Sequence, residues 1–203
     1  MSIRVGSPEL FPDDLLSDLD ESGSSEPDPR RAWWTIYTRS RQEKALAREL
    51  AARRISFFLP LINKKTQYGR RTITSSLPLF PNYVFLFGSE EDRVASLATN
   101  RVSRILAVSN GDDLRRDLIH VRRLIASGVP LTVESRWTPG QRVRVKRGPL
   151  MGLEGTILRR QGQTRLLVSV DFLQQGASVA IEDFLLEAIS DGVPRRSGKI
   201  EYR

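Results

Sequence analysis

The stretch Leu77-Pro78-Leu79-Phe80-Pro81-Asn82-Tyr83-Val84-Phe85-Leu86-Phe87 constrains the fold more than any other part of the chain. From Asn82 onward it is nearly continuously apolar, the pattern of a strand covered on both faces. Pro78 and Pro81 cannot donate to a β-ladder, which confines the start of this strand to an edge or a bend. Successive side chains alternate, so Tyr83, Phe85 and Phe87 share one face while Val84 and Leu86 share the other. Three rings in a row exceed what one layer of a small domain needs, and a partner groove competes with ordinary core as their use.

The rest of the chain supplies charge. The formal net charge is +8 over 203 residues, but residues 1–30 hold only Arg4 and Arg30 against eight acids, a net of −6, leaving +14 for residues 31–203. That body suits a polyanionic partner. The absence of cysteine excludes disulfides and thiolate metal sites, and no metal or cofactor is expected. No run approaches the roughly 18 apolar residues of a membrane span. A cytoplasmic monomer with no membrane contact is expected.

Residues 1–30, with Pro8, Pro12, Pro27, Pro29 and a Ser-Gly-Ser-Ser run, read as a disordered acidic arm. Order is expected from the strand Ala32-Trp33-Trp34-Thr35-Ile36-Tyr37-Thr38-Arg39. A helix over about 40–53 follows, with Ser40 and Glu43 spaced as a capping box. On it Leu46, Ala47 and Leu50 share the apolar face, and Arg41, Lys44 and Arg48 the opposite one. Cations in a row repel, so helix stability does not account for them. With Arg39, Arg53 and Arg54 they form a basic surface suited to phosphate.

Residues 63–74 alternate around Gly69 and predict a projecting hairpin with a basic tip, suited to phosphates and stacking or else simply protected from edge pairing by its cations. A helix opening at Ser89 is expected to turn Val94, Leu97 and Ala98 inward. A later helix is expected to bury a stripe of Leu114, Leu118, Val121 and Ile125. The order β-α-β-β-β-α-β-α predicts an α+β, antiparallel-rich α/β sandwich over 31–126, which holds 18 basic and eight acidic residues. Residues 127–137 read as a linker, 138–189 as a small SH3-like β-barrel with glycine turns, and 190–203 as a flexible tail.

Two segments resemble one family. Trp137-Thr138-Pro139-Gly140-Gln141-Arg142-Val143-Arg144-Val145-Lys146-Arg147-Gly148-Pro149-Leu150-Met151-Gly152-Leu153-Glu154-Gly155-Thr156-Ile157 is similar to a KOW motif, with Gly155 the glycine lodged where the barrel backbone bends closely. Trp33-Trp34-Thr35-Ile36-Tyr37 and Pro78-Leu79-Phe80-Pro81-Asn82-Tyr83-Val84-Phe85 resemble the amino-terminal domain of NusG-type transcription elongation and antitermination factors. Asn82, where general members more often carry glycine, brings the segment nearer the specialised RfaH-like paralogues. The resemblance implies a first domain on the clamp helices of RNA polymerase through an apolar depression lined by Tyr37, Tyr83 and Phe85. It also implies a basic face toward the non-template DNA strand, carried by Arg39, Arg41, Lys44, Arg48, Arg53 and Arg101. The KOW barrel of such proteins recruits a termination helicase or a small-subunit ribosomal protein through an apolar loop, occupied in this chain by Phe172-Leu173. Such a factor makes and breaks no bond.

Two rival classes are weaker. For an enzyme, the sole histidine, His120, lies among arginines on a helix, and Gly198-Lys199 lacks the spacing of a phosphate loop. A ribosome-associated RNA-binding protein would use the KOW segment and basic surface alone.

Overall fold

The computed structural model of the protein describes residues 9–17, 28–134, 140–160, 162–182 and 185–189. It resolves into two compact units, Met1–Gly111 and Asp112–Arg203. Residues 1–8 and 18–27 of the expected arm, Trp137 to Pro139 of the KOW segment, and the expected tail lie outside the described residues.

The first unit is built on a five-stranded antiparallel sheet. Its strands are β1 (Leu10–Phe11), β2 (Ala32–Thr38), β3 (Ser56–Phe58), β6 (Tyr83–Gly88) and β7 (Val102–Ala107), in the order β1-β3-β6-β2-β7. The aromatic stretch is thus a central strand. Ile36 pairs with Val84 and Trp34 with Leu86, and this face meets α1 (Glu43–Ala52), whose Leu46, Ala47 and Leu50 are buried against Ile36, Phe57, Val84 and Leu86. Each such leucine contributes about 1.5–3 kcal/mol by leaving water.

The acidic arm departs from expectation. Residues 9–17 are part of the fold: Leu10 and Phe11 pair with Phe58 and Phe57, Leu59 donates its N–H to the Glu9 carbonyl at 2.7 Å, and Leu16 is buried. A three-residue apolar foothold, Leu10, Phe11 and Leu16, is too sparse to show as a period. It is nevertheless enough to close a sheet edge that would otherwise present unpaired backbone groups.

Two helix ends also differ. Gln42 is the N-cap of α1 and makes no side-chain cap, because Glu43 turns into the structure and its Oε1 accepts the Asn82 N–H at 2.7 Å. On α2 (Glu90–Leu97) the Ser89–Asp92 capping box is formed, but Val94 and Leu97 are exposed, as is Ala98, while Ala95, Ser96 and Thr99 face inward. Ser96 and Thr99 tolerate burial because their hydroxyls donate to the carbonyls of Arg93 and Ser96.

Strands β4 (Leu61–Tyr68) and β5 (Arg71–Pro78) form the predicted hairpin as a separate two-stranded sheet. Just beyond it the chain turns at Asn82, whose φ is +67°. Glycine or asparagine fits that left-handed turn, and a β-branched residue does not. Asn82→Gly is therefore expected to leave the unfolding free energy within about 0.5 kcal/mol, and Asn82→Val to lower it by about 2 kcal/mol or more, measured by denaturant unfolding.

In the second unit a six-stranded antiparallel sheet runs in the order β13-β9-β10-β11-β12-β8. The strands are β8 (Thr132–Glu134), β9 (Arg142–Val145), β10 (Glu154–Arg160), β11 (Gln163–Val170), β12 (Gln175–Ala180) and β13 (Leu186–Ala188). Gly155 sits where a side chain cannot, since a Cβ there would lie 2.2 Å from the Leu167 carbonyl oxygen. The stretch read as a linker contributes β8, which is stitched in by Arg165 to the Thr132 and Ser178 hydroxyls and by Ser178 to the buried Glu134 carboxylate at 2.7 Å. Helix α3 (Gly111–Ala126) falls mostly in this unit rather than with the first domain, and its Asp117 carboxylate accepts the Asp171 N–H at 3.1 Å. Its buried stripe is Leu114, Asp117, Leu118, Val121 and Leu124, with Leu124 in place of the expected Ile125.

Glu154 lies between Arg144 and Arg142, at 2.6 and 3.5 Å. Burial pushes its carboxyl up, but the Arg144 hydrogen bond and the charges of Arg144, His120 and Arg142 outweigh burial and hold it below its usual 4.5. A carboxyl lowered on folding stabilises above its unfolded value and loses that contribution as pH falls through the folded one. Glu154→Gln is expected to be less stable than the parent at neutral pH, the gap closing below about pH 4.5. Melting temperatures measured from pH 7 to pH 3 check this.

Candidate polymerase and nucleic-acid surfaces

The face of the first sheet opposite α1 carries three cross-strand pairs, Trp33 with Phe87, Thr35 with Phe85 and Tyr37 with Tyr83. They divide sharply by exposure. Phe85 is 0% exposed and meets Phe80, equally sealed, edge to face at 6.1 Å. It cannot touch a docked partner, which corrects its expected place in the polymerase-facing set. A mid-strand position between flanking rings is filled by core before it can serve a surface.

Tyr37 and Tyr83 are half-buried, at the end of the same row, with ring centroids 5.2 Å apart in an edge arrangement. The Arg104 guanidinium lies 4.9 Å over the Tyr37 ring. The pair is placed by the Thr38 N–H bonding the Asn82 carbonyl at 2.8 Å, and by Glu43 holding the Asn82 N–H from the other side of the turn. Glu43 was read from the sequence as a cap; its partner is 39 residues away, and no local pattern points to it. At the opposite end of the row Arg31 stacks on Phe87 at 4.6 Å and donates to Ser56 and to the Phe87 carbonyl.

The basic residues expected on α1 sort into two groups. Arg39, Arg41, Arg48, Arg53 and Arg54 are exposed. Of these, Arg53 donates to the Ala95 carbonyl at 2.9 Å and lies 3.9 Å from Glu49. Arg101 is committed to structure, its Nε 2.5 Å from Glu49 and its Nη1 on Gln42, so reaching a phosphate requires giving up a carboxylate already in place. Lys44 donates to the Ser76 carbonyl on β5, joining α1 to the root of the hairpin. Glu49 thus neutralises one end of the row and leaves Arg39, Arg41 and Arg48 as its outward part.

Two of these cations stand where arginine is a costly backbone choice. Arg41, just before α1, and Arg54, just after it, have φ of +59° and +57°. A side chain in the left-handed region costs about 1–2 kcal/mol, and glycine or asparagine avoids most of it. The turn itself therefore does not call for arginine at either end.

In the second unit Phe172 and Leu173 lie in a single helical turn, Asp171–Leu173, before the left-handed Gln174. Leu173 is buried at 6% exposure and anchors the turn, so of the two only Phe172, half-buried, is available to a partner. Among the described residues no helix is long and apolar enough to cross a membrane, and no group of three or more His, Cys, Asp or Glu is placed to hold a metal.

The fold is an α/β sandwich-type unit with an antiparallel sheet, followed by a strand-rich unit consistent with an SH3-like KOW fold. The family model described as transcription termination factor nusG matches residues 31–123, and that of the KOW motif matches residues 139–171. The two matches support a NusG-type factor of the transcription elongation and antitermination class. The family match takes in α3 as far as residue 123, although by compactness most of that helix lies in the second unit. A comparison with curated proteins found no match.

Proposed function

We propose that the first domain bridges RNA polymerase and the displaced non-template DNA strand, holding the polymerase in its elongating state. The observation that carries this is the opposition of two unlike surfaces across one sheet. The half-exposed Tyr37–Tyr83 pair lies on one face, and α1, with its arginines turned outward, lies on the other. In this reading the tyrosines meet the clamp helices, since rings with one polar end suit a protein partner. Arg39, Arg41 and Arg48 meet phosphates, with Lys44 and Arg53 behind them. Binding both raises the population of the closed polymerase by the difference in affinity between its closed and open states. The second domain would recruit a further protein through Phe172, a termination helicase or a small-subunit ribosomal protein being the class of partner.

Arg39→Ala combined with Arg41→Gly tests the DNA half. Glycine relieves the left-handed turn at position 41, so stability is expected to hold or rise. Crosslinking to the non-template strand in a reconstituted elongation complex is expected to fall, while polymerase pull-down stays unchanged. Unaltered crosslinking would remove α1 from the DNA-binding surface.

A further inference from the structure

The β4–β5 hairpin is not explained by the reading above. Its 18 residues, 61–78, hold Lys64, Lys65, Arg70 and Arg71 and not one carboxylate. Its root is packed, with Leu61 buried and the Leu79 N–H on the Pro60 carbonyl at 2.8 Å. Beyond the root, described side chains from Asn63 to Ser75 are exposed, Thr66 alone being half-buried. Hydrophobic burial therefore does not select this sequence, and blunting an edge against aggregation needs a lysine or two rather than the exclusion of every acid.

The register sorts the side chains by face. Asn63 pairs with Ser76, Lys65 with Thr74 and Gln67 with Thr72, so beyond the Leu61–Pro78 pair at the root one face of the ribbon carries only amide, hydroxyl and ammonium groups. Lys64 points from the other face, beside Ser75, and Arg70 and Arg71 flank the tip at Gly69. At about 3.3 Å per residue the two eight-residue strands make a ribbon about 26 Å long, and a two-stranded ribbon is a shape that the major groove of DNA admits. A single strand can be held through its phosphates alone, as proposed for α1, but holding its bases takes rings to stack on. The polar face offers none, and the one aromatic residue of the hairpin, Tyr68, ends β4 at the tip.

We propose that this hairpin is a second nucleic-acid contact, a basic ribbon that lies against double-stranded DNA with its amide and hydroxyl face toward the groove and its cations on the flanking phosphates. Lys44, bonded to the Ser76 carbonyl, ties it to the α1 surface. Where the proposed non-template contact holds, the two surfaces together follow a strand from its unpaired stretch into the adjoining duplex.

The test uses the full chain without polymerase. Fluorescence anisotropy follows binding to a labelled 20-base-pair duplex of mixed sequence and to the matching single strand, over a range of salt concentrations. One variant replaces Lys64, Lys65, Arg70 and Arg71 by serine; the other is Arg39→Ala with Arg41→Gly. The hairpin variant is expected to lose about 10- to 100-fold in duplex affinity at low salt, and its log–log salt slope should shrink by about 3 to 4. Its melting temperature and its single-strand affinity should stay near those of the parent. The α1 variant should do the reverse, losing single-strand binding and keeping the duplex. Duplex affinity and salt slope unchanged in the hairpin variant would overturn the proposal, even if that variant lost polymerase binding. Equal loss on both DNA forms would overturn it too, showing a diffuse charge effect. Failure of the α1 variant alone leaves the hairpin contact standing and counts against the non-template reading.

Discussion

Phe85→Ala is expected to destabilise the first unit by about 3–5 kcal/mol, enough to leave much of it unfolded at 37 °C. The ring is wholly enclosed and packs edge to face on Phe80, itself sealed, so truncation removes the transfer free energy of a phenyl group and leaves a cavity that β6, at the centre of the sheet, cannot collapse to fill. Phe85→Leu, which keeps most of the volume, should cost far less, about 1–2 kcal/mol. Denaturant unfolding of both variants measures the difference. Because of this, loss of polymerase binding in a Phe85→Ala protein would report on folding and not on contact. A near-neutral effect on stability would mean that the ring is not core in solution, and would restore it as a surface residue.

Much of the first unit is legible in the sequence because the period of two survives tertiary packing. The alternation in Tyr83 to Phe87 separates the α1-facing side chains from the ring face, and that division is the one observed across the Ile36–Val84 and Tyr37–Tyr83 pairs. Gly155 was legible only through the resemblance to a KOW motif, and the physical reason appears in the structure, where a Cβ would meet the Leu167 carbonyl. What escaped depends on partners distant in the chain. The spacing of Ser40 and Glu43 is that of a capping box, but a carboxylate does better on the Asn82 N–H, which would otherwise be left unsatisfied in a tight turn. On α2, hydropathy predicts Val94 and Leu97 inside, whereas small residues, Ala95 and Ser96, allow the helix to approach the sheet and leave the larger side chains outside. Exposure along a row of rings is likewise decided by neighbours. Phe85 and Tyr83 are indistinguishable by period, and only the position of Phe80 shows which of them is sealed. Charge is the least legible of all, since Arg101 belongs with the other cations by composition and is removed from them by Glu49, 52 residues earlier.

Replacing Tyr37 and Tyr83 together by alanine is expected to abolish polymerase binding while leaving the fold standing, the largest functional effect that follows from the proposed bridge. Both rings are half-buried, so each truncation removes contact area on the outer side without opening a sealed cavity, at a stability cost of about 1–2 kcal/mol apiece. At the centre of a docked interface an aromatic residue is worth about 2 kcal/mol or more, and two adjacent ones about a thousandfold in affinity. Their mutual contact, at 5.2 Å, makes the pair act as a unit. Tyr37→Phe with Tyr83→Phe separates the roles of ring and hydroxyl: if apolar surface carries the docking, this variant should bind within about threefold of the parent, since the ring area is retained. Affinity is read by titrating labelled protein with core polymerase, and folding by the thermal transition of the free protein. Full binding by a folded double-alanine variant would place the polymerase contact elsewhere on the chain. The exposed Val94 and Leu97 of α2 would then be the next residues to replace, as they are the largest apolar side chains that helix turns outward.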